Sequence, residues 1–226
     1  MKLIPWLFLG LMTPALAADL AEGERAYYDG DYVVAERELA PLADQGVSHA
    51  QYLLGLMYLE GQGVPRDFRQ AMTLFKQAAD QGEAGAQYEL GKAFAAGKGT
   101  ERNQARAMFW FRKAAEQGSN EAEYALGEIY ETGRGTAIDN NNAMDWYGLA
   151  ADKGNALAQF KLGTFYLLGK GTNPNPVLAY QWFSLASKRG VLEASLKLRD
   201  LARELRPAQI DEAEDRAERW ENRHRK

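Results

Sequence analysis

The segment AEYALGEIYETGRG (residues 122–135), with its continuation AMDWYGLAADKG (143–154), decides the fold, because the chain contains variants of it four times. Gly46, Gly82, Gly118, Gly154 and Gly190 stand at strict 36-residue steps. Between them an alanine returns at Ala50, Ala86, Ala122 and Ala158, and a Leu-Gly pair at Leu54-Gly55, Leu90-Gly91, Leu126-Gly127 and Leu162-Gly163. An aromatic follows at Tyr58, Phe94, Tyr130 and Tyr166. A fixed period in this range marks a repeat array, in which each unit covers its neighbour's apolar face and no unit folds well alone.

Within one unit, Ala50, Leu54, Met57 and Tyr58 recur at helical spacing, which predicts an amphipathic helix over residues 48–60. Gly61-Gln62-Gly63 breaks it, and the breaker returns as Gly97-Lys98-Gly99, Gly133-Arg134-Gly135 and Gly169-Lys170-Gly171. A second helix carries Ala71, Leu74, Phe75, Ala78 and Ala79, closed by Gly82. Each unit is thus an antiparallel helix pair. Small residues at fixed columns let the two backbones approach, and aromatics fill the space between them. Trp110, Trp146 and Trp182 share a column with Leu74, so packing is their expected role rather than a ligand box.

The full motif, Ala-x3-Leu-Gly-x2-Tyr-x2-Gly-x-Gly and then Ala-x2-Trp-Phe-x2-Ala-Ala-x2-Gly, resembles the Sel-one-like repeat family, a branch of the tetratricopeptide superfamily. The resemblance covers four units, 47–82, 83–118, 119–154 and 155–190. It implies an all-α, right-handed α-α superhelix, a solenoid of antiparallel helix pairs forming one domain over 18–226. Residues 19–46, with Ala35, Leu39 and Leu42, look like an ordinary tetratricopeptide unit that lacks the long glycine loop. Residues 191–226 read as capping helices: Arg199 replaces the glycine, Ala202 the aromatic, and Pro207 opens a helix with Ile210, Ala213, Ala217 and Trp220 on one face.

Met1-Lys2, the apolar run Leu3 to Met12, and the small residues Ala15 and Ala17 read as a secretory signal peptide over 1–17, with cutting after Ala17 or Ala18. The apolar stretch is short for a hydrocarbon layer of about 30 Å, so no stable membrane insertion of the mature chain is expected. No cysteine lies near the cleavage region to carry a lipid. The expectation is export to a bacterial periplasm. Because the whole chain lacks cysteine, thiol chemistry and cysteine metal sites are excluded. A net charge of −4 with interspersed signs offers no basic stripe for a phosphate backbone, so nucleic acid is not an expected partner.

Several motifs resolve into structural roles. Gly97-Lys98-Gly99-Thr100 lacks a phosphate loop's glycine five residues before the Gly-Lys pair, where Lys92 stands, and its hydroxyl directly after the lysine, where Gly99 stands. Asp139-Asn140-Asn141-Asn142 lacks the central glycine and bidentate Glu of a calcium loop and reads as a polar turn. His49 and His224 are the only histidines and belong to opposite ends of the array, so no metal or cofactor is expected. No serine-nucleophile motif occurs, and no catalytic group is visible. Arg216, Arg219, Arg223, Arg225 and Lys226 alternate with acids, and Glu212–Arg216 and Asp215–Arg219 at i,i+4 predict a salt-bridged, solvated helix.

What remains for function is the columns that break the repetition: His49/Gly85/Glu121/Leu157, Leu53/Glu89/Ala125/Lys161, Leu56/Lys92/Glu128/Thr164 and Glu60/Ala96/Thr132/Leu168. Their spacing of four, three and four places them on one stripe of the first helix. In tetratricopeptide proteins that side lines the concave groove. The resemblance therefore implies a groove through Leu56, Lys92, Glu128 and Thr164, with His49, Leu59, Glu60, Glu131 and Leu168, edged by Tyr52, Tyr88, Tyr124 and Phe160. Leu56 and Leu59 would form an apolar end, and Lys92, Glu128 and Glu131 a charged middle. Inter-repeat packing is the favoured role of the four edge aromatics. The leading reading is an exported, non-catalytic scaffold that binds a protein or peptide, in envelope assembly or signalling. Two alternatives stand beside it: an envelope hydrolase or β-lactamase-like cell-wall enzyme, a chemistry to which some relatives have been linked, and a polysaccharide-binding module with exposed groove aromatics.

Overall fold

The structure is a computed structural model that describes residues 14–224. The predicted leader thus lies outside the described residues except for its last few, which open the first helix. The described residues hold twelve helices and no strand: α1 (Pro14–Asp29), α2 (Tyr32–Asp44), α3 (Ser48–Glu60), α4 (Phe68–Asp80), α5 (Ala84–Ala96), α6 (Gln104–Glu116), α7 (Asn120–Thr132), α8 (Asn140–Asp152), α9 (Ala156–Leu168), α10 (Pro176–Lys188), α11 (Leu192–Leu201) and α12 (Pro207–His224). They fall into two compact units, one ending at Arg102 and the other beginning at Asn103. In the first, α1 to α5 each pack on the next; in the second, α6 to α11 do the same and α12 packs on α10. Short connections between packed helices reverse the chain, so neighbours run antiparallel. The fold is an all-α solenoid of helix pairs.

Helix α3 has the bounds read from the period. Each first helix stops on a left-handed glycine, Gly61, Gly97, Gly133 or Gly169, at φ between +68° and +75°. A side chain is strained in that conformation, and glycine is not. The second glycine of each breaker is held for space. A Cβ at Gly99 would lie 2.8 Å from the Phe68 carbonyl oxygen, and one at Gly171 2.7 Å from that of Asn140. The Gly-Lys-Gly-Thr element is therefore a packing device against the preceding second helix. Second helices start on Asp67, Asn103, Asp139 and Asn175, whose side chains accept from backbone N–H groups of the first turn. Such caps contribute about 1 kcal/mol each. The polar turn at Asp139 is one of them, and its hydrogen bonds from Asn142, then Asn141, hold that carboxyl below its ordinary range.

The Leu-Gly pair sets the distance between paired helices. A Cβ at Gly55, Gly127 or Gly163 would stand 2.7, 2.5 or 2.6 Å from the ring of Phe75, Tyr147 or Phe183. Those three rings, with Leu39, Leu53, Met57, Leu90, Leu126, Phe165 and Leu185, are the largest fully buried apolar side chains among the described residues. Trp110, Trp146 and Trp182 are only half-buried, so the tryptophan column flanks the core rather than filling it. In α11, Arg199 at the glycine column leaves no room for a ring in the same place. Accordingly α12 lies on α10, where Ala213, Ala217 and Trp220 are buried and Trp220 meets Trp182 edge-on with centroids 6.4 Å apart.

Candidate partner-binding faces

The first helices carry the stripe that breaks repetition, and each compact unit presents its own part. In the first unit, α3 supplies His49, Tyr52, Leu56, Leu59 and Glu60, and α5 supplies Tyr88 and Lys92. Glu60 and Lys92 are exposed and the rest half-buried. Leu56 packs against the Leu53–Met57 core, so this end is less apolar at its surface than its composition implies. Leu53, from a variable column, is fully buried. Lys92 Nζ donates to Glu89 at 2.8 Å and sits 5.2 Å from the centre of the Tyr88 ring. His49 lies between Glu24 of α1 at 3.6 Å and Glu83 at 3.5 Å, its ring 5.9 Å from Tyr52. The bond to Glu83 raises the imidazole's pKa against the opposing effect of burial, and the charge of Glu24 adds to the rise.

The edge aromatics pack. Tyr52 is tilted against Phe75 at 6.3 Å, Tyr124 against Tyr147 at 5.6 Å and Phe160 against Phe183 at 5.5 Å, each first-helix ring on its own second helix. Tyr52 also occupies the space a side chain at Gly85 would need, so it locks α3 to α5. Burial, with nearby Glu89, pushes its phenol well above the ordinary range. These rings remain half-buried.

In the second unit, α7 gives Tyr124, Glu128 and Glu131, and α9 gives Phe160, Thr164 and Leu168. Glu131 is a node. It accepts from the Tyr147 hydroxyl at 2.8 Å, Lys161 at 2.8 Å and Lys170 at 3.2 Å. Burial opposes its charge, but the bonds from Lys161, Tyr147 and Lys170 outweigh that and hold the carboxyl below its usual range. Burial and the same carboxylate push Tyr147 far up, so it remains a hydrogen-bond donor. The Thr164 hydroxyl donates to its own helix at Phe160 O, 3.0 Å away, and Glu128 receives Thr132 on its backbone carbonyl. Lys170 and Tyr147 are not among the residues that column variability singles out. Lys170 belongs to a loop whose glycines are structural, and only its length and charge hint at reach. Large apolar exposure on this stripe falls on α9: Leu157 is 52% exposed and Leu168 60%.

A further column ties repeat to repeat within each compact unit. The side-chain amides of Gln51, Gln87 and Gln159 donate to the carbonyls of Ala43, Ala79 and Ala151 at the end of the preceding second helix, at 3.1, 3.2 and 3.1 Å. Glu123 stands in that column with a carboxylate, and takes Lys153 at 2.6 Å on one oxygen.

A repeat model described as Sel1 repeat matches residues 48–83, 84–119, 120–155 and 156–191, well over half of the chain. The chain belongs to the Sel1 repeat family. Sel1 repeat proteins are helical repeat scaffolds for protein interaction. Among solved structures, a Sel1 repeat protein from Oxalobacter formigenes is 32% identical with a TM-score of 0.74, covering 83% of this chain and 78% of its own. A protective antigen present in uropathogenic Escherichia coli strains is 29% identical with a TM-score of 0.77, and the match covers 90% of this chain but 45% of that one. A Klebsiella pneumoniae protein described as a sel1 repeat protein shares the fold at 21% identity and a TM-score of 0.55, over 82% of this chain and 92% of that one. No curated protein matches the sequence significantly. Among the described residues, no helix is long and apolar enough to cross a membrane, and no group of three or more His, Asp or Glu side chains is placed to hold a metal ion.

Proposed function

We propose that this Sel1 repeat protein is an exported, non-catalytic adaptor that holds a protein or peptide partner on the first-helix stripe, with α9 as a principal contact. The observation that carries this is the exposure of Leu157 and Leu168 at either end of a stripe that also contains half-buried Phe160 and Thr164. Covering a leucine gains about 1.5–3 kcal/mol when it is fully removed from water, so two half-exposed ones form a real anchor. Beside them, Lys161, Lys170 and Glu131 form a charged margin that fixes orientation more than affinity. An amphipathic segment with paired apolar anchors suits that surface. Export rests on the charged, apolar and small-residue sequence of residues 1–17.

A photo-crosslinking side chain at Leu168, in the cells that make the protein, tests the face. The expected result is one protein adduct at Leu168, and none from the same probe at Val33, exposed on α2, a helix that carries none of the stripe residues. Leu157→Glu with Leu168→Glu should remove the adduct from a probe at Thr164. Equal adducts at Val33 and Leu168, or capture by the double variant at wild-type yield, would overturn the assignment. Export is tested separately by fractionation and N-terminal sequencing, with the mature chain expected to start at Ala18 or Asp19.

A further inference from the structure

Of the two i,i+4 pairs that the sequence predicts on α12, one forms. Arg216 pairs with Glu212 at 2.9 Å. Arg219 makes no ion pair with Asp215, and neither it nor Arg223 has an acidic partner among the described residues. α12 lies on α10, and Arg216, Arg219 and Arg223 share one side of the helix at i, i+3 and i+7. That side borders a recess of about 520 Å³ lined by the three arginines with Asn222 and, from α10, Gln181. The other carboxylates of this helix with a recorded partner are turned elsewhere, Glu221 to Lys188 at 2.9 Å and Glu214 to Tyr180.

Gln181 is the second and independent sign. It is only 8% exposed, yet its amide has no hydrogen-bond partner among the described residues. What exposure the residue keeps includes its amide, whose donors and acceptor are therefore open to a molecule entering the recess. Here the amide borders a recess rimmed by three guanidinium groups, of which those of Arg219 and Arg223 lack a counter-charge among the described residues. Each guanidinium offers a planar fork that matches a carboxylate or phosphate with two parallel bonds. The carboxamides of Gln181 and Asn222 each offer both a donor and an acceptor, which is what a hydroxyl requires. The volume lies in the range of small-molecule pockets and exceeds what a bare phosphate fills.

We propose that the α10–α12 recess binds a small polyhydroxylated anion, a phosphorylated or carboxylated sugar, with Arg219 and Arg223 on the anionic group and Gln181 and Asn222 on hydroxyls. It is separate from the first-helix stripe and does not rest on the adaptor reading.

Calorimetric titration of the full chain with glucose 6-phosphate, glucuronate, inorganic phosphate and glucose tests it. One or both sugar anions should bind with Kd below about 1 mM, and the one that does identifies the anionic group. Glucose should give no saturable heat, and phosphate should bind about tenfold more weakly than the better sugar anion. Arg219→Gln with Arg223→Gln should weaken binding by about a hundredfold, and Gln181→Leu by about tenfold, with unchanged circular dichroism. If Gln181→Leu fails to fold, Asn222→Ala on the exposed side replaces it with the same expectation. Silence from both sugar anions up to about 10 mM overturns the site. So does wild-type affinity in the double arginine variant. Phosphate binding as tight as the sugars overturns the hydroxyl assignment, and capture of poly-glutamate without either sugar reassigns the recess to an acidic peptide.

Discussion

Glu123→Gln should make the protein more stable, although it removes a charge from a salt bridge. Glu123 is 3% exposed, and one of its carboxylate oxygens accepts from Lys153 while the other has no partner among the described residues. In the three sister positions a glutamine amide donates to the carbonyl that ends the preceding second helix. Repetition puts the carbonyl of Ala115 in that place for Glu123, and a carboxylate has no proton to give it. Glutamine keeps an oxygen for Lys153 and turns an N–H toward the carbonyl. Relief of the unpaired oxygen is worth about 1–3 kcal/mol, the new bond contributes about 1 kcal/mol, and weakening the Lys153 bond from charged to neutral acceptor costs about 1 kcal/mol. The balance is a gain of about 2 kcal/mol, or a Tm rise of about 6 °C for a unit of this size.

Thermal melts by circular dichroism, with hydrogen exchange at Ala114–Ala122 to localise the change, measure this. A cycle with Lys153→Met makes it decisive. In the parent chain that substitution leaves a buried carboxylate without its cation and should cost about 3 kcal/mol or more. In the Glu123→Gln background it should cost about 1 kcal/mol. A Glu123→Gln protein that melts at or below the parent temperature refutes the reasoning. Equal costs for Lys153→Met in the two backgrounds would do the same.

Two glycines of α7 and α8 should respond in opposite directions. Gly127→Ala drives a methyl to 2.5 Å from the buried Tyr147 ring and should destabilise by about 3 kcal/mol, whereas Gly148→Ala meets nothing within 4 Å and should stabilise by about 0.5–1 kcal/mol, both read from urea midpoints. For His49, the folded pKa is raised by Glu83 and Glu24, so its contribution is fully present below the unfolded value near 6.5 and fades as pH rises through the folded value. His49→Gln should therefore cost about 0.5 kcal/mol at pH 5.5 and nothing measurable at pH 9, and an equal cost at both would refute the pairing. Glu131 has the opposite sign, because its pKa is lowered in the fold. Glu131→Gln should cost about 1–2 kcal/mol at pH 7, and the difference should shrink as acid titration passes below the ordinary carboxyl range near 4.3.

Helix bounds and repeat columns were legible because each rests on one residue's local physics. A left-handed stop demands glycine at Gly61 and its counterparts, and a ring at van der Waals distance demands glycine at Gly55, so both recur whatever the surroundings. The row of second-helix caps, Asp67, Asn103, Asp139 and Asn175, was equally present as a column but was visible only as one polar turn, since Asp and Asn interchange there. The stripe was harder to read because variability alone does not say which atoms are free. Thr164 varies, yet its hydroxyl is bound to its own helix; Leu53 varies and is fully buried. Lys170 lies 39 residues from Glu131 in sequence and reaches it only because the loop after α9 carries a long cation back toward α7. Arg219 and Asp215 are both exposed at i,i+4 on α12 and still form no ion pair, which spacing alone does not disclose. A repeat therefore discloses what every unit must do to fold, while binding chemistry arises where a side chain leaves its own unit's pattern for a neighbour's. Glu123 and Lys170 are such departures, and substitutions there separate the scaffold from what it holds.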